Sequence, residues 1–516
     1  MKNARSIIVA VAVILAGFCS VCGCGKDKPQ GGEEEQQATL SVVPSSVSFT
    51  AEATSAELSV TASSKPSAVS SETWCKASAG AFSAGGCKVT VSVEANVSTS
   101  ERTASISIVC GDLKEKVAVT QTGAVAPEPE DFLAEVTPGD NLAWTMAGKL
   151  GLGWNLGNQL DSHNNGVSDE TAWGNSKVTQ TTFDGLKAKG FTSVRIPVTW
   201  MGHIGEAPDY KIDEAWMARV AEVVGYAGKA GLNTILNVHH DGADSKYWLN
   251  IKKAAASAAD CAAITAEYKA VWKQIAEKFA DQGDWLIFEA YNEIHDGGWG
   301  WGGNLTDNGA QYKILNQWVQ EFVSTVRATG GKNAERYLGI PGYCANPDLT
   351  IANLVLPSDP AKDRLMVAVH CYDPYDYTLE AKYDEWGHTA KNNACPNGEE
   401  DIVKVMAKLK AKYIDNGIPV YMGETGCSNR STDRQKRFQA YYLEFFYKAC
   451  RNYGMAPFYW DNGSEATGKE SGAVINHSTG EYVLDGKTLV AAMKKAVFTE
   501  SASYTLRSVY ESAPTE

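Results

Sequence analysis

The sequence lacks any long apolar run. Its N-terminal stretch, residues 7–18, falls short of the about 20 residues that a membrane-spanning helix requires. An excess of positive charge is also missing: 47 Lys and Arg stand against 61 Asp and Glu, a formal net charge of −14. Phosphate backbones are held by basic stripes, so nucleic acid is not an expected partner, and the acidic balance disfavours polyanionic substrates. Metal signatures are absent as well. The nine cysteines after residue 24 show no Cys-x-x-Cys spacing, and there is no Asp-x-Asp-x-Asp-Gly loop, so no metal is expected. No glycine-rich phosphate fingerprint opens a helix. That removes the main support for a doubly wound nucleotide-binding sheet and leaves no cofactor implied.

What is present begins with a targeting segment. Lys2 and Arg5 precede the apolar run and Val21-Cys22-Gly23-Cys24 follows it, the order of an export signal. The tetrapeptide resembles a bacterial lipobox, which implies cleavage before Cys24 and acylation of Cys24. Cys22 is the alternative, and an ordinary secretory signal with incidental cysteines is the other reading. Residues 1–23 are therefore expected to be the signal. Residues 24–38, with Gly31-Gly32 and Glu33-Glu34-Glu35, read as a solvated tether. An acidic tract after a lipidated cysteine resembles the surface-export signals of Bacteroidetes-type lipoproteins. It implies an outer-membrane lipid anchor, at the cell surface or on the periplasmic face. The odd number of later cysteines requires at least one free thiol.

Residues 39–123 alternate apolar and polar, as in Glu57-Leu58-Ser59-Val60 and Ala104-Ser105-Ile106-Ser107-Ile108. Period two marks half-buried antiparallel strands, and at this length it predicts an immunoglobulin-like sandwich. The Trp74 segment, the run from Val91 to Asn96, Arg102-Thr103-Ala104 and the closing Val119-Thr120-Gln121-Thr122-Gly123 resemble the BACON module. The resemblance implies a domain between lipid anchor and enzyme. A spacer role is favoured over sugar binding, because no row of exposed aromatics is evident. Residues 124–131, with Pro127 and Pro129, read as a semi-rigid linker.

Residues 132–516 change pattern to strand then helix, repeated. Apolar strands are predicted at 151–155, 192–197, 233–238, 285–291, 337–341, 365–369, 419–423 and 455–459. Between them lie helical faces, such as Trp216, Val220, Val223, Val224 and Ala227 behind a candidate N-cap, Asp213, and a second over 312–328. Eight alternations predict an α/β fold, a (β/α)8 TIM barrel. Two strands end in glutamate, at Asn292-Glu293 and at Glu424. One strand-end glutamate alone reads as a helix cap. Two, at the mouth where barrels keep their chemistry, suggest the paired carboxylates that cleave glycosidic bonds. The 14 Trp and 22 Tyr supply core, and some supply flat platforms for sugar rings.

The strand-end segments GWNLGNQLD, ETAWGN, VRIPVTW, NVHHD, YNEIH, VHCYDPY, GETG and YWDNG together resemble glycoside hydrolase family 5, in particular its subfamily 4 endoglucanases and xyloglucanases. The resemblance implies a retaining endo-β-1,4-glucanase with Glu424 as nucleophile and Glu293 as acid/base. It implies Arg195 as the cation holding Glu424, Asn292 at the sugar 2-hydroxyl, and Tyr372 at the nucleophile or ring oxygen. His370, His239 and His240 would hold carboxylates or hydroxyls. Trp460 would stack under the sugar, and Asn155, Asn158 and Asp161 would bind the glycone further out. Glu293 is expected to have a raised pKa, from burial and from the charge of Glu424. Adjacent His239 and His240 are expected to point to opposite sides of their strand end, with no third metal ligand at obvious spacing. Ile294 replaces the proline common after this glutamate, and the glycine-rich loop that follows places Trp299 or Trp301 toward the leaving group. The partner is a β-linked polysaccharide, and a monomer is expected. A mannanase on the same barrel and a non-catalytic glycan-binding lipoprotein are the alternatives.

Overall fold

The structure, a computed structural model, describes residues 38–98, 100–124 and 131–515. The expected signal, Cys24 and nearly all of the tether and linker lie outside these residues. The described chain forms two compact units.

The smaller unit is all β. Its strands are β1 (Leu40–Val43), β2 (Ser46–Phe49), β3 (Thr54–Ala62), β4 (Ser67–Ser70), β5 (Cys75–Ala79), β6 (Gly86–Val93), β7 (Arg102–Cys110) and β8 (Leu113–Gln121). They make two four-stranded sheets, β1-β3-β6-β5 and β2-β8-β7-β4. The alternation in sequence becomes alternation in burial: Leu58 and Val60, Val89 and Val91, Ile106 and Ile108, Val117 and Val119 are all buried, while their neighbours along each strand face outward. Phe49, at the end of β2, is buried as well.

The larger unit is a closed barrel of parallel strands: β9 (Gly153–Leu156), β12 (Ser193–Ile196), β13 (Asn233–Asn237), β14 (Leu286–Glu289), β15 (Leu338–Pro341), β16 (Leu365–His370), β17 (Val420–Thr425) and β18 (Ala456–Asp461), with β18 pairing back to β9. All eight fall where the apolar runs predict them. A short hairpin, β10 (His163–Asn164) with β11 (Val167–Ser168), rises from the loop after β9. Asp213 caps the helix Glu214–Lys229, accepting a hydrogen bond from the Trp216 amide, and the predicted apolar face is the one buried.

Both faces of every barrel strand are covered, but by different chemistry. Outward-facing residues such as Leu236, Phe288, Val367 and Met422 join the large core under the helices. Inward-facing Ile235, Ile287, Met366, Ala368, Tyr421 and Phe458 form a separate apolar cluster, and Met146 and Leu150 of the helix Leu142–Leu150 pack into it. That cluster fills the floor of the barrel. Above it the inward positions turn polar: Asn155, Arg195, Asn237 and Glu289.

All nine cysteines among the described residues are free thiols, most of them buried. A chain beginning at residue 38 should therefore titrate nine thiols after denaturation, and reductant should leave its melting temperature unchanged. A smaller count would reveal a disulfide.

Candidate active site

Arg195 is the centre of the polar layer. β12 places it fully inside the barrel, where its guanidinium has no water to bond. Every N–H is used: Nε and Nη2 donate to Glu289, Nη2 also to Asn292 Oδ1 at 2.7 Å, and Nη1 to Asn155 Oδ1 at 3.0 Å and Glu424 Oε1 at 2.7 Å. Glu289 is further held by the Asn237 amide at 2.9 Å and the Tyr421 hydroxyl at 2.7 Å. Gly339, paired with Glu289 across the sheet, makes room for that hydroxyl, since a Cβ there would lie 2.1 Å from it. Burial pushes the Glu289 carboxyl up, but Arg195, His370 and Tyr421 outweigh it and leave it below the ordinary glutamate value.

Glu424 reaches this centre through an irregularity. Tyr421 faces inward and Met422 outward, so strict alternation would turn residue 424 away from the barrel interior. The register of β17 shifts against both neighbours near its end, and His370 pairs with Glu424. Such a shift re-aims side chains at barrel rims. Tyr372 donates to the second Glu424 oxygen at 2.9 Å. Burial, then the charges of Glu424 and Glu293, hold the Tyr372 phenol well above its usual value, so it stays a donor.

Glu293 lies across from Glu424 and is bonded to His370 Nδ1 at 2.6 Å. The nearest oxygens of the two glutamates are within 4.8 Å. The expected rise in the Glu293 pKa is reversed in the free site. Burial does push it up, but the adjacent His370, with His295 and Arg195, leaves it lowered. Burial lowers His370, but Glu424 and Glu293 leave it raised. The pair therefore shares one proton, weighted toward the imidazole.

The two histidines after β13 do not diverge. His240 starts a 3-10 turn, His240–Ser245, which ends strand geometry, and the two rings sit 4.4 Å apart on the same wall of the cleft. Asn237 donates to His239 Nδ1 at 3.1 Å, which leaves Nε2–H facing Glu424, 4.0 Å away. Burial, with His240, Arg195 and His370, keeps His239 neutral. The ring of His239 lies parallel to Trp460 at 5.8 Å.

Asn158, His239, His240, Asn292, His370, Tyr372 and Trp460 all line the cleft, which has a volume of about 950 Å³. Asn155 and Asp161 do not. Asn155 is wholly buried and bridges Arg195 to the Gly423 carbonyl. Asp161 is wholly buried and accepts the amides of Asn158 and Gln159. Both side chains are buried in the wall and present no surface to the cleft. Asp161, His239 and His240 do come close enough to share an ion, within 4.8 Å, a grouping that spacing along the chain does not show. Sequence reading gave no role to Glu289, Asn237, Tyr421 or the cleft-lining Trp173. A carboxylate at the end of the buried run Leu286–Glu289 was the available signal for the first.

Removing one partner of a buried ion pair typically costs about 3–5 kcal/mol, so Glu289→Gln should lower the melting temperature at pH 7. The folded pKa of Glu289 lies below its unfolded value of about 4.3. Its contribution is thus complete above that pH and is lost as pH falls through the folded value. The gap between parent and variant should shrink on acidification below about pH 4.3. A gap independent of pH would mean that charge is not what Glu289 supplies.

The family model described as cellulase (glycosyl hydrolase family 5) matches residues 158–466. The BACON model, a putative N-terminal binding domain, matches residues 63–122. The chain is similar in structure to a broad-specificity GH5-4 endoglucanase from Bacteroides salanitronis, with 55% identity, TM-score 0.68, and 72% of this chain and 98% of that one covered. It is similar to a Bacteroidetes-affiliated GH5 cellulase linked with a polysaccharide utilization locus, with 49% identity, TM-score 0.71, and coverage of 73% and 98%. A xyloglucan-specific endo-beta-1,4-glucanase from Bacteroides ovatus is 33% identical over 418 residues, 76% of this chain and 80% of that protein. With the two-glutamate barrel and these relatives together, the chain belongs to glycoside hydrolase family 5, as a glycoside hydrolase with a BACON domain ahead of its catalytic barrel.

Proposed function

We propose that this enzyme is a retaining endo-β-1,4-glucanase acting on β-glucan-type plant polysaccharide, with Glu424 as nucleophile and Glu293 as acid/base. The observation that carries the reading is the separation of the two glutamates, with nearest oxygens within 4.8 Å. Retaining pairs stand about 5–5.5 Å apart, whereas inverting pairs leave about 6.5–9.5 Å for a water between them. Arg195 donates to one Glu424 oxygen and fixes its direction. Tyr372 binds the other oxygen and yields to the developing bond. As Glu424 attacks the anomeric carbon, Glu293 delivers the proton it shares with His370 to the departing oxygen. Water then enters, gives its proton to Glu293, and releases the sugar from Glu424. Arg195 occupies the carbonyl of Asn292, so the Asn292 amide N–H groups are the ones left for the sugar 2-hydroxyl. A cleft lined by Trp173, Trp299, Trp301 and Trp460 supports attack within a chain.

The same reading extends to the N-terminal domain. Among the described residues, the large hydrophobics exposed on the β domain are Val43, Val69 and Val97, none of them aromatic, which supports a spacer. We infer a monomer held by a lipid on Cys24 to the outer membrane, with the catalytic cleft available to polymer.

Reducing-sugar release from mixed-linkage β-glucan, carboxymethylcellulose, tamarind xyloglucan and mannans tests the substrate. Activity confined to mannans would move the function to mannanase. Glu293→Ala should lower kcat by about 10²–10⁴-fold, with less loss on substrates carrying a good leaving group. Glu424→Ala should be inactive unless azide is added, and then should release the α-glycosyl azide. A first product of inverted anomeric configuration from the parent would exclude the mechanism. Trp299→Ala with Trp301→Ala should raise KM on polymer more than on short aryl glycosides. Unchanged polymer turnover would place both residues outside the leaving-group sites.

A further inference from the structure

His295, two residues beyond Glu293, takes no part in the two-glutamate step, yet it is buried at the root of the glycine-rich loop. Further along that loop Trp299 lines the cleft with its indole 56% exposed, and its backbone is left-handed, with φ 51°. A residue with a Cβ keeps that conformation only where its surroundings hold it. His295 supplies the hold. Its ring lies against the Trp299 indole, with centroids 4.2 Å apart. Its Nδ1 accepts the Gly297 amide at 3.0 Å and the Trp299 amide at 3.4 Å, which folds the chain back over Gly297, φ 96°. The backbone on either side is fixed in turn. Ser245 Oγ donates to the His295 carbonyl at 2.8 Å, and the Asp296 amide donates to the Tyr343 hydroxyl at 3.0 Å.

Two amides donating to Nδ1 fix the tautomer. Nδ1 carries no proton, and the N–H is on Nε2, which faces Asp244 at 3.6 Å. We infer that His295 is the positioning residue for Trp299: its Nδ1 closes the turn and its ring backs the indole, so that Trp299 stands where the departing part of the chain passes Glu293. This rests on the glucanase reading above and adds what holds the leaving-group platform. The arrangement depends on the neutral imidazole, because an imidazolium has no acceptor. The titratable and charged groups facing the ring are Glu293 and Asp296 on its own segment, and Asp244 and Lys246 at the neighbouring 3-10 turn. Burial, the largest effect, lowers the imidazole below its usual value; Glu293, Asp244 and Asp296 oppose it, and Lys246 adds to it. The turn is therefore intact at neutral pH and opens as pH falls below the ordinary imidazole value of about 6.5.

His295→Asn keeps an acceptor at the place of Nδ1, and His295→Phe keeps a flat ring without one. On mixed-linkage β-glucan at neutral pH, His295→Phe should raise KM about threefold or more, and by a greater factor than on short aryl glycosides, while His295→Asn recovers most of the loss. In a Trp299→Ala background His295→Phe should add nothing, since the two residues act as one unit. The emission of Trp299, taken as the difference between parent and Trp299→Phe, reads the same hold without substrate. It should change on acidification below about pH 6.5 in the parent and stay flat in His295→Asn. It also keeps the test open if the melting temperature shows that His295→Phe does not fold. An equal rise in KM for the Asn and Phe variants, a full additional loss on Trp299→Ala, or a Trp299 emission indifferent to pH would each overturn the inference. A parent inactive on every glucan, with the emission change present, would remove the glucanase reading and leave His295 as the mount of Trp299.

Discussion

The catalytic barrel depends on one buried guanidinium. Arg195 sits where no water reaches it, and a cation there is tolerable only if each N–H finds an acceptor and opposite charge stands close. Glu289 and Glu424 supply the charge, and Asn155 and Asn292 complete the hydrogen bonds. The two carboxylates are not equivalent. Glu289 is saturated by Arg195, Asn237 and Tyr421 and reacts with nothing. It acts as the fixed anchor that lets Arg195 hold Glu424 by one oxygen while the other faces the cleft through Tyr372. The same guanidinium orients Asn292, so Glu424 and Asn292 are set by a single planar group.

The barrel divides labour by depth. Its floor is apolar and closed by Met146 and Leu150, its middle is the Arg195 network, and its rim carries the residues that line the cleft. Low dielectric below and around the network strengthens each ionic contact above it. The proton held between His370 and Glu293 belongs to this arrangement. Glu424 and Glu293 raise the His370 imidazole against the effect of burial, so that proton rests toward the imidazole. The loop beyond Glu293 is likewise built from within. Asp296 accepts the amides of Gly298 and Asn304 and the Gln311 side-chain amide, and a Cβ on Gly302 would meet its carboxylate at 2.3 Å. That packing presents Trp299 and Trp301 at the mouth although both are exposed.

Much of this was legible in order along the chain. Period two in residues 39–123 and eight apolar runs followed by helical faces announce the two folds, because burial imposes those periods directly. Glu293, Glu424, Arg195 and Tyr372 stand out because chemistry-bearing residues cluster where strands run out. The errors are also instructive. Asn155 and Asp161 are the right types for sugar binding, yet their side chains turn into the wall, where backbone groups needed partners. His239 and His240 were assigned to opposite faces by strand geometry, but the chain leaves that geometry at His240. Glu289 and Tyr421 were passed over as strand interior, which is where they are; their role is to each other and to Arg195, on three different strands.

The sequence by itself determined which segments are strands, which residues end them, and that two carboxylates lie at one rim, since these follow from local periodicity and the identity of terminal residues. Tertiary structure decided the rest. The shifted register of β17 turns Glu424 inward against alternation, closure of the barrel brings residues 195, 289 and 424 to one point, and the packing of His370 on Glu293 reverses the direction of its pKa. Each of these depends on distance between groups far apart in the chain. Charge, hydrogen bonding and desolvation act through that distance, which no local pattern contains.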